Sequence, residues 1–170
     1  MSVRLDSHVA QLPIVTADGV FVAHYSTDGL SGLNFPSKQS SGTTNDEKVP
    51  ANVRAWHRLT SAAVKKILAG QTLIELPPLD LSSGTKFQLS VWKSLLKIKP
   101  GRTQSYGEIA KSIKKPKAVR AVGGACGANP IPLLVPCHRV LAANRKIGGF
   151  SGGLGWKEKL LTREGVSVAG

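Results

Sequence analysis

Ser105-Tyr106-Gly107-Glu108-Ile109-Ala110-Lys111-Ser112-Ile113-Lys114-Lys115-Pro116-Lys117-Ala118-Val119-Arg120-Ala121-Val122-Gly123-Gly124-Ala125 decides the fold of the second half of this 170-residue chain. Ser105 and Glu108 form a capping box: the hydroxyl can accept the N3 amide while the carboxylate returns to the N-cap amide. A short helix follows through Ile109, Ala110 and Ile113, and Lys114-Lys115-Pro116 turns the chain. A second helix is expected from Lys117 to about Ala125. Two short helices around a tight basic turn read as a helix-turn-helix, although many such hairpins bind nothing. Gly123, Gly124 and Ala125 are small enough to bring the second helix close to a partner surface.

Charge supports a polyanionic partner. Residues 1–83 carry 7 Lys+Arg and 7 Asp+Glu, whereas residues 84–170 carry 16 Lys+Arg and 3 Asp+Glu. A solvated basic face would need no such segregation, and DNA or RNA explains it better.

The first half reads differently. Gln11–Thr16, Gly19–Tyr25 and Gly29–Phe35 look like short strands separated by Asp-Gly turns. Phe35 to Val49 is a polar, Ser-rich loop, and a helix is expected from about Ala51 to Ala69 with Val53, Trp56, Ala63 and Ile67 on one stripe. Thr72–Leu76 suggests one more strand before Pro77-Pro78. Thr85 with Gln88 caps a further helix carrying Phe87, Val91 and Leu95, closed by Pro100-Gly101. The fold class expected is α+β: a small N-terminal β-sheet-plus-helix domain over residues 1–80, and a helical C-terminal domain with a helix-turn-helix over 84–170.

Two cysteines, Cys126 and Cys137, do not make a disulfide framework, and four scattered histidines do not make a metal site. No run approaches a membrane span and no signal-peptide pattern opens the chain. The expectation is an intracellular protein, cytoplasmic or nuclear if eukaryotic, without cofactor or metal. Ile131-Pro132-Leu133-Leu134-Val135 is a short apolar run, after which Pro136 presents Cys137-His138. A thiol reacts as thiolate, and an adjacent imidazole favours that form. The bland alternative is a small buried Cys beside a surface His. Cys126, in the run Gly123–Ala128, reads as a packing residue of its helix.

Tyr106, Arg120-Ala121-Val122-Gly123, Asn129-Pro130, Pro136-Cys137-His138-Arg139-Val140, Gly149-Phe150-Ser151-Gly152-Gly153 and Glu164-Gly165 occur in the order found in the O6-alkylguanine-DNA alkyltransferases, which the chain resembles from about Thr85 to Gly165. The first half resembles that family only in its size and its strand-then-helix layout. The resemblance implies irreversible transfer of an alkyl group from O6 of guanine to Cys137, once per chain. A thiolate suits in-line attack at the alkyl carbon, and the thioether product is stable. His138 would help deprotonate Cys137 through a water, oriented by Glu164; the bland reading of Glu164 is a solvated helix-end acid. Asn129 would tie the Cys loop to the helix-turn-helix, and as a plain turn-former it would also be satisfied. Tyr106 would donate to guanine N3 as the base leaves. Pro132 and Phe150 would line the alkyl pocket, with Ser151 and the backbone near Val140 on the base.

A base stacked in a duplex cannot reach a buried thiol, so the nucleotide must flip. By resemblance Arg120 would fill the gap, with Lys117, Ala118, Val119 and Ser105 also at the DNA, here in the minor groove. Otherwise Arg120 is one more phosphate-contacting side chain. Phe150 stands where many members carry Tyr, and the zinc ligands that some members hold in the N-terminal domain are absent. Alkyltransferase-like relatives carry Trp in place of the Cys, so Cys137 favours transfer over sensing. The partner implied is double-stranded DNA containing O6-alkylguanine, bound by a monomer away from any membrane. Two rivals remain: a non-catalytic DNA-binding or lesion-sensing protein, and a Cys-His hydrolase that would turn over.

Overall fold

The computed structural model describes residues 8–38, 48–73, 75–150 and 152–168. Three antiparallel strands, β1 (His8–Thr16), β2 (Gly19–Ser26) and β3 (Leu30–Asn34), form a meander in the order β1-β2-β3. The strand limits agree with the alternation in the sequence to within a few residues. Gly19 sits at φ 120 in the tight β1–β2 turn, a conformation that suits glycine. Helix α1 (Ala51–Leu68) buries Val53, Ala63, Val64 and Ile67, while Trp56 is only half-buried. Gly70, at φ 69, ends that turn of chain with no room for a side chain, since an added Cβ would meet the Arg163 carbonyl.

The expected strand at Thr72–Leu76 does not form among its described residues, 72, 73, 75 and 76. The place beside β3 is taken instead by the next segment: Leu30 N–H donates to the Pro78 carbonyl at 2.8 Å, and Asp80 N–H donates to the Leu30 carbonyl at 2.7 Å. A Pro-Pro segment cannot supply a full ladder, so the pairing stays a single bridge at Leu79.

Helix α2 (Lys86–Leu95) starts with the complete Thr85–Gln88 capping box and stops well short of Pro100. Its end is drawn in by Ile98, which is buried and donates to the Leu95 carbonyl. Two-residue strand β4 (Gln104–Ser105) leads into α3 (Tyr106–Ser112), whose Ser105–Glu108 box is likewise complete. Lys114 takes φ 62 just past the helix, and Lys115 N–H returns to the Ala110 carbonyl, which closes α3 as a Schellman-type end. The next helix, α4 (Val119–Gly127), begins two residues later than the sequence suggests. The cause is a turn in which Ala118 N–H donates to the Lys115 carbonyl. Helices α3 and α4 with that turn make the helix-turn-helix. Trp92 of α2 donates its indole N–H to the Ala125 carbonyl at 2.8 Å and so fixes the depth of α4.

After α4 the chain runs through a buried loop, a 3-10 turn at Cys137–Arg139, strand β5 (Val140–Leu141) parallel to β4, a second 3-10 turn at Ala143–Arg145, and helix α5 (Leu154–Arg163). One hydrophobic cluster includes Phe21 and Tyr25 of the sheet, Val64 of α1, Trp92 of α2, Ile109 of α3, Val122 of α4, Cys137 and Leu160 of α5. The core is therefore shared between the two halves. Among the described residues no helix is long and apolar enough to cross a membrane.

Candidate active site and nucleic-acid face

The loop before Cys137 is set by Asn129. Its Nδ2 donates to the Val135 carbonyl at 2.8 Å and its Oδ1 accepts from Ile131 N–H at 2.9 Å, so one buried side chain clamps both ends of the apolar run. Leu133 is held at φ 73, a costly conformation for a branched residue and one that the clamp overdetermines. Cys137 then emerges with 4% of its surface exposed, onto a cavity of about 410 Å³. The lining comprises Tyr106, Gly123, Cys126, Gly127, Cys137, Gly149 and Phe150. A side chain added at Gly123 or Gly127 would meet nothing within 4 Å, so these glycines leave open space.

Behind Cys137 lies a buried charge network. His138 is fully buried, and its Nε2 lies 3.0 Å from Glu164 Oε1, the carboxylate itself being 1% exposed. Arg139 Nε spans both Glu164 oxygens at 3.1 Å, Nη2 reaches Oε1 at 2.8 Å, and Nη1 donates to the Ile98 carbonyl at 2.7 Å. Burial alone would raise the Glu164 pKa, but the hydrogen bonds from His138 and Arg139 outweigh it and hold the carboxyl at about 2. An ionised Glu164 accepts, so Nε2 of His138 carries the hydrogen and Nδ1 keeps its lone pair. That Nδ1 is buried and has no hydrogen-bond partner. Burial lowers the His138 pKa more than Glu164 raises it, so the resting imidazole is neutral.

The thiols differ from the sequence expectation. Burial raises the Cys137 pKa, with Asn129 and Lys157 pulling the other way, so the resting group is a thiol rather than a preformed thiolate. Cys126 is no mere packing residue: it lines the same cavity, and burial followed by Cys137 pushes it up to about 12. Tyr106 opens α3 on the cavity wall, and burial followed by the two thiols raises it to about 12, which keeps its hydroxyl protonated.

Sequence reading missed Lys157. It is fully buried on α5, its Nζ donating to the Val140 carbonyl at 2.6 Å and to the Gly149 carbonyl at 3.1 Å, and lying 5.9 Å from the Tyr106 ring centre. Burial lowers it to about 8, while the thiols raise it. The available signal was periodicity: Lys157 shares a helix face with Leu160 and Leu161. Arg139 was also missed as a functional residue, although it sits inside the Pro136–Val140 stretch.

The remaining predicted residues are dispersed. Phe150 lines the cavity and packs edge-on to Phe35 with ring centres 5.6 Å apart. Pro132 is buried in the loop but is not among the lining residues, because the Asn129 clamp turns the run inward. Val140 is already engaged: its N–H donates to the Cys137 carbonyl and its carbonyl accepts Lys157. Ser151 lies outside the described residues. Ser105 spends its hydroxyl on the α3 cap. Lys117, Val119 and Arg120 are exposed, and Ala118 is half-buried, at the start of α4. With exposed Lys111, Lys114 and Lys115 they make a basic face on the helix-turn-helix. No group of three or more His, Cys, Asp or Glu among the described residues could hold a metal.

Residues 86–166 match the family described as 6-O-methylguanine DNA methyltransferase, DNA binding domain. The methylated-DNA–protein-cysteine methyltransferase of Methanosarcina acetivorans is 43% identical over 141 residues, 81% of this chain and 86% of that protein. That of Mycobacterium tuberculosis is 56% identical over 86 residues, 51% of this chain and 52% of that one. A crystal structure of Mycobacterium tuberculosis OGT in complex with DNA is 37% identical, covers 91% of each chain and gives a TM-score of 0.73.

Proposed function

Because the chain belongs to the methylated-DNA–protein-cysteine methyltransferase family, we propose that it repairs DNA by moving the alkyl group of O6-alkylguanine irreversibly onto its own Cys137. The observation that carries this reading is a buried Glu164–His138 pair, with the imidazole on the residue next to a thiol that lines a cavity. Residues 84–170 supply the reacting groups, and residues 1–80 support them. The partner is duplex DNA, and the compartment is the one that holds it.

His138 Nδ1 takes the Cys137 proton through one water, which also meets the need of a buried polar atom for a partner. The imidazolium formed is stabilised by Glu164, already ionised and held by Arg139. Sγ of Cys137 attacks the alkyl carbon, the carbon–O6 bond breaks, and the electron pair stays on guanine. Tyr106 neutralises that anion by donating from its hydroxyl, which its raised pKa keeps protonated. Lys157 supplies a fixed positive charge near the thiol during attack.

The buried thiol demands an extrahelical base, at a cost of a few kcal/mol. Arg120, exposed at the start of α4, fills the vacated stack while the Lys-rich turn holds phosphates. The test is stoichiometric: incubate the protein with duplex DNA bearing labelled O6-methylguanine and count methyl groups per chain. One per chain is expected. None would make the protein a lesion-binding regulator, and many would make it a hydrolase.

A further inference from the structure

Two thiols face one cavity. Cys137 enters from the 3-10 turn and Cys126 from α4, and both are free and buried. The other α4 residues on the wall, Gly123 and Gly127, bring no side chain, so Cys126 is the one lining residue of this helix with a reactive group. The mechanism above does not use it.

We infer that Cys126 is a second acceptor for bifunctional alkyl groups: when Cys137 has taken a two-carbon chain with a halide on its far carbon, Cys126 displaces the halide and bridges the two cysteines. This rests on the transfer to Cys137 proposed above. The first step leaves Cys137–S–CH2–CH2–Cl and guanine. Sulfur in that group sits two carbons from the leaving group and assists its departure through a three-membered sulfonium ring. Cys126 sulfur then attacks a ring carbon, forming Cys137–S–CH2–CH2–S–Cys126. Chloride and the Cys126 proton leave to solvent, so atoms and charge balance and no redox partner is needed.

Electrostatics favour this order. Before reaction, Cys137 is among the groups that disfavour a Cys126 thiolate, and Lys157 favours it. Burial still favours the Cys126 thiol, but alkylation turns Cys137 into a thioether that cannot ionise, so Cys126 no longer shares the Lys157 cation with a second titrating thiol. A nucleophile already held in the same cavity also competes well with water, since effective molarities of tethered groups reach about 10⁵ M or more.

The test compares two fresh duplexes, one with a single O6-(2-chloroethyl)guanine and one with O6-methylguanine, each reacted with the intact protein. Denatured products are titrated with iodoacetamide and mapped by mass spectrometry. The unreacted protein has two free thiols. Methylated DNA should leave one, and chloroethylated DNA should leave none, with chlorine lost. Trypsin cuts nowhere between Arg120 and Arg139, so both cysteines stay in one peptide, and a bridge should suppress backbone fragments between them. The Cys126→Ser protein should instead stop at a chloroethyl or hydroxyethyl group on Cys137. A Cys137 adduct beside a free Cys126 in the unaltered protein, or a bridged mass in Cys126→Ser, overturns the inference and leaves the methyl transfer intact. Failure of the methyl control fells both.

Discussion

Arg163 grips Asp18 with both ends of its guanidinium, Nη1 to Oδ2 and Nη2 to Oδ1 at 2.7 Å each, and so fastens the β1–β2 turn to the residue just before Glu164. Nη1 also donates to the Leu68 carbonyl at the end of α1. Asp18→Asn should cost about 1 kcal/mol of stability, as expected for a bidentate but partly exposed pair. Transfer should slow less than twofold, because Arg139 holds Glu164 independently. Urea unfolding and single-turnover rates check both; a large rate loss would mean that the first half sets the position of Glu164.

Acid should attack the network in two stages. His138 is kept neutral in the folded state with its pKa below 6.5, so the unfolded chain binds more protons and stability falls as pH drops below that value. Glu164 is held at about 2 against an ordinary 4.5, so its contribution is complete above 4.5 and is lost as pH falls toward 2. The carboxylate contributes about 3 kcal/mol over that window. Glu164→Gln should flatten this acid limb and, at neutral pH, destabilise by roughly 3–5 kcal/mol by leaving Arg139 unpaired. Denaturant unfolding from pH 7 to 3 reads it, and an unchanged acid limb in the variant would refute the assignment. The variant should still reach one alkyl group per chain, more slowly.

Lys157→Met should separate rate from stability. Met removes the cost of burying a cation but leaves the Val140 and Gly149 carbonyls without their donor, so a modest loss of about 1–3 kcal/mol is expected for folding. Thiolate formation loses its favourable charge, however, and transfer at pH 7 should fall roughly tenfold for each unit by which the thiol pKa rises. The pH profile of Cys137 modification should move upward. A stable variant with an unmoved profile would confine Lys157 to tethering Val140 and Gly149.

Arg120→Ala should slow reaction with duplex DNA by roughly 10- to 100-fold, the equivalent of a few kcal/mol of lost support for the flipped state. Reaction with free O6-benzylguanine should barely change, since that base needs no flipping. Equal losses on both substrates would move Arg120 out of the stack and into the fold.

Binding to duplex DNA should be weakly sequence-specific and salt-sensitive. If ~4–6 phosphates are neutralised, log K should fall with log[salt] at a slope of roughly −4 to −5. A flat response in a fluorescence titration would contradict the basic face.

What was legible in the sequence was local. Thr85–Gln88 and Ser105–Glu108 are three-residue relations whose geometry is complete before any tertiary contact, and both boxes stand as read. The three strands announced themselves by turn chemistry and alternation. Thr72–Leu76 misled because strand propensity supplies no partner, and Leu30 pairs with Leu79 instead. Cys137-His138 stood out in the residues themselves as a thiol beside an imidazole, whereas Glu164 was joined to them only through resemblance, since 26 positions separate it from His138 and no spacing rule joins them. Lys157 stayed hidden because its hydrogen-bond partners are the backbone carbonyls of Val140 and Gly149, which no side-chain pattern encodes, and Arg139 because its carboxylate partner, Glu164, lies 25 positions away. The role of Cys126 was hidden for a related reason: only the fold turns that face of α4 toward the cavity.

The core that joins sheet and helices has a consequence for heat. Phe21, Val64, Trp92, Val122 and Leu160 belong to one cluster, and the reactive thiol is a member of it. The interior runs unbroken from one half to the other, so the chain should melt in one cooperative transition. A cavity-forming change at Phe21, in the N-terminal sheet, would then be felt at Cys137 as a shorter working life at high temperature.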